Sequence, residues 1–228
     1  MKSLILTLSL LGALFLNGAR AQSPDPEDLR QFNFQIISLN DSIRDAYYFS
    51  DGDYKPVFVT NNNFTQLYRY NGPKPLALYR QVQRAEGPGY EPFAVWPGSN
   101  GAREGRHYML LVSQTEETYK ISSFDHTENA GKKNLALFFN ATNEPMKVYA
   151  RGLEFDLADF SSEAIVMPVD ERGLFEAAIV TKSGLVFRGR LKMPLGEQGM
   201  YFVRPSRVSN NQVAIKRIRN PRRVPGAE

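Results

Sequence analysis

Only two histidines, His107 and His126, occur in the 228 residues, and there is no cysteine. A nucleophilic triad therefore lacks its usual parts, since no thiol and no Gly-x-Ser-x-Gly elbow is present. Asp125-His126 is an adjacent acid and imidazole that could orient a general base. It lies, however, in a polar stretch that reads as a solvated linker. Zinc would want three or four convergent ligands, which two distant histidines cannot supply. Hydrolysis by paired carboxylates requires neither histidine nor cysteine. The candidates are Glu116 with Glu117, Asp156 with Asp159, and Asp170 with Glu171, all in turn-like or exposed stretches where acids serve solvation and turn chemistry. The segment "SDGDY" at 50–54 sets two acids around a glycine. It lacks the spaced acids and terminal glutamate of a calcium loop and reads as a hairpin turn. No catalytic residue, metal site or cofactor is expected.

Residues suited to binding are more numerous. Tyr68, Tyr70, Tyr79, Tyr90 and Trp96 could form a platform for sugar rings or peptide side chains, because aromatic faces bury large areas while staying adaptable. Tyr68 and Tyr70 share a face at period two and are better read as core. Trp96, followed by Pro97-Gly98, is the best surface candidate, with Tyr90 beside it in the same Gly- and Pro-rich stretch, 84–106. The run "IKRIRNPRR" carries Lys216, Arg217, Arg219, Arg222 and Arg223. It could dock on an anionic surface with salt-sensitive affinity. It also fits a charged edge strand ending at Pro221, which discourages sheet-to-sheet aggregation and is the preferred reading.

The amino terminus sets the compartment. Lys2, an apolar stretch from Leu4 to Leu16 and the small-x-small ending Ala19-Arg20-Ala21 form a secretory signal peptide, with cleavage expected between Ala21 and Gln22. The stretch is short for a membrane span, and no second one follows. Export without cysteine fits a bacterial periplasm or exterior. Cleavage removes Lys2 and Arg20, so 28 basic residues become 26 against 24 acidic ones; the stretch from Val213 onward carries five basic residues against Glu228, and the rest of the mature chain is slightly acidic. Basicity is thus a property of the carboxyl terminus, which disfavours a nucleic-acid-binding surface.

The elements that would position these residues are strands. Aromatics make up 12% of the chain, and runs of five to eight alternating residues are bounded by Asn, Asp, Gly and Pro. Fifteen strands are expected, at 32–39, 46–49, 55–60, 66–70, 76–83, 91–96, 108–113, 118–124, 134–140, 147–150, 164–168, 174–181, 185–193, 200–204 and 212–218. The helical candidates, 25–31 and 153–162, are short. The order of strands repeats: Ile37-Ser38-Leu39-Asn40-Asp41 and Tyr47 match Phe139-Asn140-Ala141-Thr142-Asn143 and Tyr149 at an offset of 102. Later matches, such as 120–124 with 214–218, drift to an offset of 94 because 84–106 is the longer loop. The expected fold is all-β, two tandem immunoglobulin-like or prealbumin-like antiparallel β-sandwich repeats. Its parts are the signal peptide 1–21, a linker 22–31, repeat 32–126, a linker 127–133, repeat 134–220 and a tail 221–228.

The stretch "LFFNATNEPMKVYARG" resembles the opening of a bacterial exported family of unknown function, whose tandem domains begin with an apolar strand, an Asn-Ala-Ser-Pro turn, Asp-Val-Tyr and a glycine. Asn140, Ala141 and Thr142 stand at that turn, Val148 and Tyr149 match the second strand, and Gly152 the next turn. "GEQGMYFV" and the junction "SFDHTENAGKKNLALFFNAT" are similar as well. Asn143 replaces the usual proline, and the first copy keeps only Asn40 and Tyr47. The resemblance implies an exported tandem β-sandwich and no particular activity. The function expected is a non-enzymatic structural or interaction module of the cell envelope, with an unknown protein or envelope component as partner. A carbohydrate-binding or carbohydrate-active domain is the first alternative, and polyanion binding through the carboxyl terminus the second.

Overall fold

The computed structural model describes residues 29–85, 87–114, 118–167, 170–193, 195–206 and 212–219; the expected signal peptide with its cleavage site, and Arg222 and Arg223, lie outside them. The first half holds eight strands: Leu29–Ser38 (β1), Ile43–Ser50 (β2), Asp53–Val59 (β3), Tyr68–Pro73 (β4), Leu76–Arg84 (β5), Gly87–Trp96 (β6), His107–Gln114 (β7) and Tyr119–Asp125 (β8). The second holds Leu135–Asn140 (β9), Met146–Ala150 (β10), Leu153–Leu157 (β11), Ser162–Val166 (β12), Leu174–Thr181 (β13), Gly184–Lys192 (β14), Gln198–Pro205 (β15) and Val213–Arg219 (β16). All fifteen expected strands fall on one of these. β11 corrects the helical reading of 153–162: Leu-Glu-Phe-Asp-Leu alternates strictly, and it pairs from Ala150↔Leu153 to Met146↔Leu157. β1 begins inside the stretch expected as a linker because Leu29 already pairs with Pro73. The segment 84–106 is likewise not all loop, since β6 pairs along β5 from Leu76↔Trp96 to Arg84↔Gly87.

Strands of the first half form one curled sheet in the order β3-β2-β5-β6-β8-β7-β1-β4, and those of the second form two sheets, β11-β10-β13-β14 and β12-β9-β15-β16. Strand for strand, the curled sheet is the same pair of four-stranded sheets, joined by a short parallel contact of Ala94 with Tyr119 and Val95 with Lys120. The pairing is not purely antiparallel as expected. β1 runs parallel to β7, and β9 to β15. Five intervening strands separate each pair, more than the crossover length that parallel neighbours need.

Three apolar cores follow from this order. Phe34, Ile36, Tyr48, Leu78 and Leu110 fill the first half, together with Tyr70 and the partly buried Tyr68, as their alternation implied. Phe138, Val148, Ile179 and Tyr201 fill the second. A third core lies between the halves, where Ile37, Met109 and Leu111 meet Leu137, Phe139, Met200 and Phe202. Strands β1, β7, β9 and β15 are therefore buried on both faces, which is why β7, β9 and β15 read as nearly continuous apolar runs, while β1 buries Gln35 and Ser38 among its apolar residues. The joining segment is held rather than slack: Thr127–Asn129 form a 3-10 turn, and the Gln198 amide donates to the Asn129 carbonyl.

One local device recurs. Tyr70 and Tyr201 are buried rings whose hydroxyls donate to the carbonyls of Pro73 and Lys192. Gly72 and Gly199 lie against those rings, and a β-carbon would come within 2.9 Å of Tyr70 and 2.7 Å of Tyr201. The Gly-x-Tyr spacing in "GMYFV" is thus a packing requirement.

Candidate functional site

The two outer sheets, β3-β2-β5-β6 and β11-β10-β13-β14, turn one face inward and leave the other uncovered by any described residue. Their central rows correspond. In the first half Tyr47 pairs with Tyr79, and Tyr79 with Pro92. In the second Tyr149 pairs with Ala178, and Ala178 with Arg188. This register places Tyr149 and Arg188 on one face, on either side of a methyl group, two strand spacings or about 10 Å apart.

The outcome differs between the two faces. On the first, the rings pack against one another: Tyr54 stacks on Tyr90 at 3.8 Å and 9°, Tyr47 meets Tyr90 at 5.1 Å, and Tyr79 meets Tyr54 at 5.1 Å. Tyr90 is thus half-buried in a filled aromatic surface. On the second, Ala178 takes the place of Tyr79 and the row opens into a groove of about 540 Å³. Its large apolar side chains are Tyr149, Leu153 and Leu185, all exposed, with Tyr149 at 40%. Arg151 enters from the two-residue turn Arg151-Gly152, whose positive φ values of 46° and 80° aim the chain back along β11.

The groove's charges are unevenly compensated. Glu154 takes a 2.6 Å bond from Lys147, and Glu176 lies 3.6 Å from Arg190. The Glu154 contact in turn raises the Lys147 ammonium above its ordinary range. Among the described residues no ion pair within 4 Å engages Arg151 or Arg188. The groove therefore offers Arg188, and Arg151 facing only the longer-range field of Asp170, beside an apolar floor.

The residues singled out by sequence are dispersed. Trp96 is not at the surface. It is 2% exposed and packs edge-on to Phe32 at 5.4 Å and beside Tyr108 at 5.1 Å. It closes β6 opposite Leu76, and Ser99 ties the following 3-10 turn to it by accepting from Leu76 N–H and donating to the Trp96 carbonyl. Lys216 is partly buried and its ammonium donates to the Asn61 carbonyl of the first half. Arg217 pairs with Tyr201 on the neighbouring strand, and Arg219 ends β16 opposite Gly199.

The catalytic candidates do not converge. His107 and His126 do meet, with ring centroids 5.3 Å apart, but at the buried base of β7 and β8. Burial first, then the neighbouring His107, pushes the His126 imidazole down to about 4, against a smaller opposing pull from Asp125. The Asp125 carboxylate accepts from Thr127 N–H and lies 3.6 Å from Arg106. Asp170 accepts from the N–H groups of Leu174, the larger influence, and Arg172, which holds its carboxyl below the usual range as a turn cap. Asp51-Gly52 form the hairpin turn between β2 and β3, both with positive φ. Glu116 and Glu117 lie outside the described residues. Among those described, no cluster of three or more metal-ligating side chains occurs, and no helix is long and apolar enough to cross a membrane.

The groove was not anticipated from sequence. Its signal was the loss of an aromatic at Ala178 where the first half has Tyr79, with Tyr149 retained. No family model matches the chain, and no curated protein matches it.

Proposed function

We propose that this protein is a non-enzymatic, exported interaction module of the cell envelope, made of two copies of one β-sandwich domain, and that it engages its partner through the groove of the second copy. Export rests on the signal-peptide pattern of residues 1–21 and the absence of cysteine. Duplication is supported by the matching orders β3-β2-β5-β6 with β4-β1-β7-β8 and β11-β10-β13-β14 with β12-β9-β15-β16. That order differs from the immunoglobulin arrangement, in which the first, second, fifth and fourth strands share a sheet, and favours the prealbumin-like alternative.

The observation that carries the reading is the gathering of exposed Tyr149, Leu153 and Leu185 beside Arg151 and Arg188 on one sheet face. Exposed apolar side chains concentrated in a polar-rimmed concavity mark binding sites. Docking through the basic carboxyl terminus is less well supported, because Lys216 and Ile218 serve contacts within the fold. Co-sedimentation with an envelope fraction of the source cells tests the proposal. Wild-type protein is expected to sediment and the Tyr149→Ala/Leu185→Asp variant to stay in solution; equal sedimentation of both contradicts it.

A further inference from the structure

We infer that the groove binds a carboxylated sugar unit of a glycan, with the pyranose ring against Tyr149 and Leu185 and the carboxylate held by Arg188 and Arg151; this rests on the interaction reading above and names its ligand class. The volume of about 540 Å³ falls within the range of small-ligand pockets, roughly 300–1,000 Å³.

Three features select this chemistry. The backbone N–H and C=O groups of β10 and β13, which run beneath the middle of the groove, are engaged in ladders on both sides, and those of the edge strand β14 on its β13 side. The floor is thus the face of a sheet rather than its edge. An extended peptide laid there would make none of the main-chain bonds from which strand-adding peptides draw their affinity. A sugar needs only side-chain partners and a flat apolar surface, which the exposed Tyr149 ring and the Ala178 methyl provide.

Charge makes the second selection. With Glu154 and Glu176 already paired to Lys147 and Arg190, the two remaining arginines favour an anion. A guanidinium matches a carboxylate with two parallel N–H bonds. The paired carboxylates keep free oxygens for sugar hydroxyls, so a polar rim surrounds the ring. An acyl chain is the wrong occupant for the same reason, since only three large apolar side chains line the groove and charged groups bound it.

The third feature is the contrast with the first half, where the equivalent row is Tyr47, Tyr79 and Pro92 and carries no arginine. Space and the Arg188 cation appear together in that row of the second copy, with Arg151 added from the neighbouring turn.

Calorimetric titration of the full mature chain with trigalacturonate, galactotriose and a sulfated, uncarboxylated galactan trisaccharide tests the inference at low salt. Trigalacturonate is expected to bind at least about tenfold tighter than either other sugar, as one charge-assisted bond pair implies. Arg188→Gln should weaken it about tenfold and Arg188→Lys less, while Tyr149→Ala should weaken all three sugars alike. Equal binding of acidic and neutral sugars, a preference for the sulfated one, or no effect of Arg188→Gln overturns it. If trigalacturonate fails to bind while the Tyr149→Ala/Leu185→Asp variant still loses the envelope fraction, the sugar inference falls and the interaction reading stands. If that variant sediments like wild type, the interaction reading itself falls.

Discussion

Phe124 of β8 and Phe139 of β9 meet at 4.6 Å and 65° across the boundary between the halves, and Phe139 stacks in turn on Phe202 at 4.5 Å. Two sandwiches joined only by a linker would leave these rings in water. Instead β1, β7, β9 and β15 carry buried residues on both faces, and the core between the halves covers the second one.

Truncating Phe139, which is fully buried, should therefore cost about 3–5 kcal/mol, as for other core Phe→Ala changes. Urea unfolding followed by tyrosine fluorescence and by far-ultraviolet dichroism should give coincident transitions in the wild type. Two separated transitions would show that the halves unfold independently.

Asn140 is 1% exposed, and its amide reaches the carbonyls of Glu144 at 2.7 Å and Ala158 at 2.8 Å. Its oxygen accepts from the Thr142 N–H at 2.9 Å and hydroxyl at 2.7 Å. Asn140→Ala leaves several buried partners unsatisfied and should cost about 3 kcal/mol. Among the described residues the Asn40 side chain has one comparable bond, accepting from Gln114 N–H, so Asn40→Ala should cost about 1 kcal/mol. Denaturation midpoints of the two variants compare them directly.

His126 gives the fold an acid limit. Its imidazole titrates near 4 when folded and near 6.5 when unfolded. Between those values the unfolded chain takes up a proton that the folded chain refuses, so stability falls as the pH drops through this window and levels off below it. The loss is on the order of 3 kcal/mol. Unfolding free energies measured at pH 7, 5 and 4 should show this decline in the wild type, and a clearly smaller one in His126→Leu.

Much of the fold was legible because short alternating runs and turn residues mark strands one at a time. Leu174–Thr181 was read to the residue, and the hairpin at Asp51-Gly52 was recognised from its composition. The third core was not legible: an unbroken run such as Leu135–Asn140 shows that both faces are buried but not what covers the second face. Trp96 was misplaced because the following Pro97-Gly98 suggests a loop, whereas the alternation of Ala94 and Trp96 already turned the indole inward. The groove depends on Tyr149, Ala178 and Arg188; matching the halves shows Ala178 in place of Tyr79, but only the strand pairing sets Arg188 beside it.

The most direct test of the second half's outer face as the working surface compares three variants for sedimentation with the envelope fraction. Tyr149→Ala/Leu185→Asp empties the groove, Tyr54→Ala/Tyr90→Ala strips the aromatic face of the first half, and truncation after residue 219 removes Arg222 and Arg223. Loss of sedimentation in the groove variant alone is expected; retention there, with loss in either of the others, contradicts it.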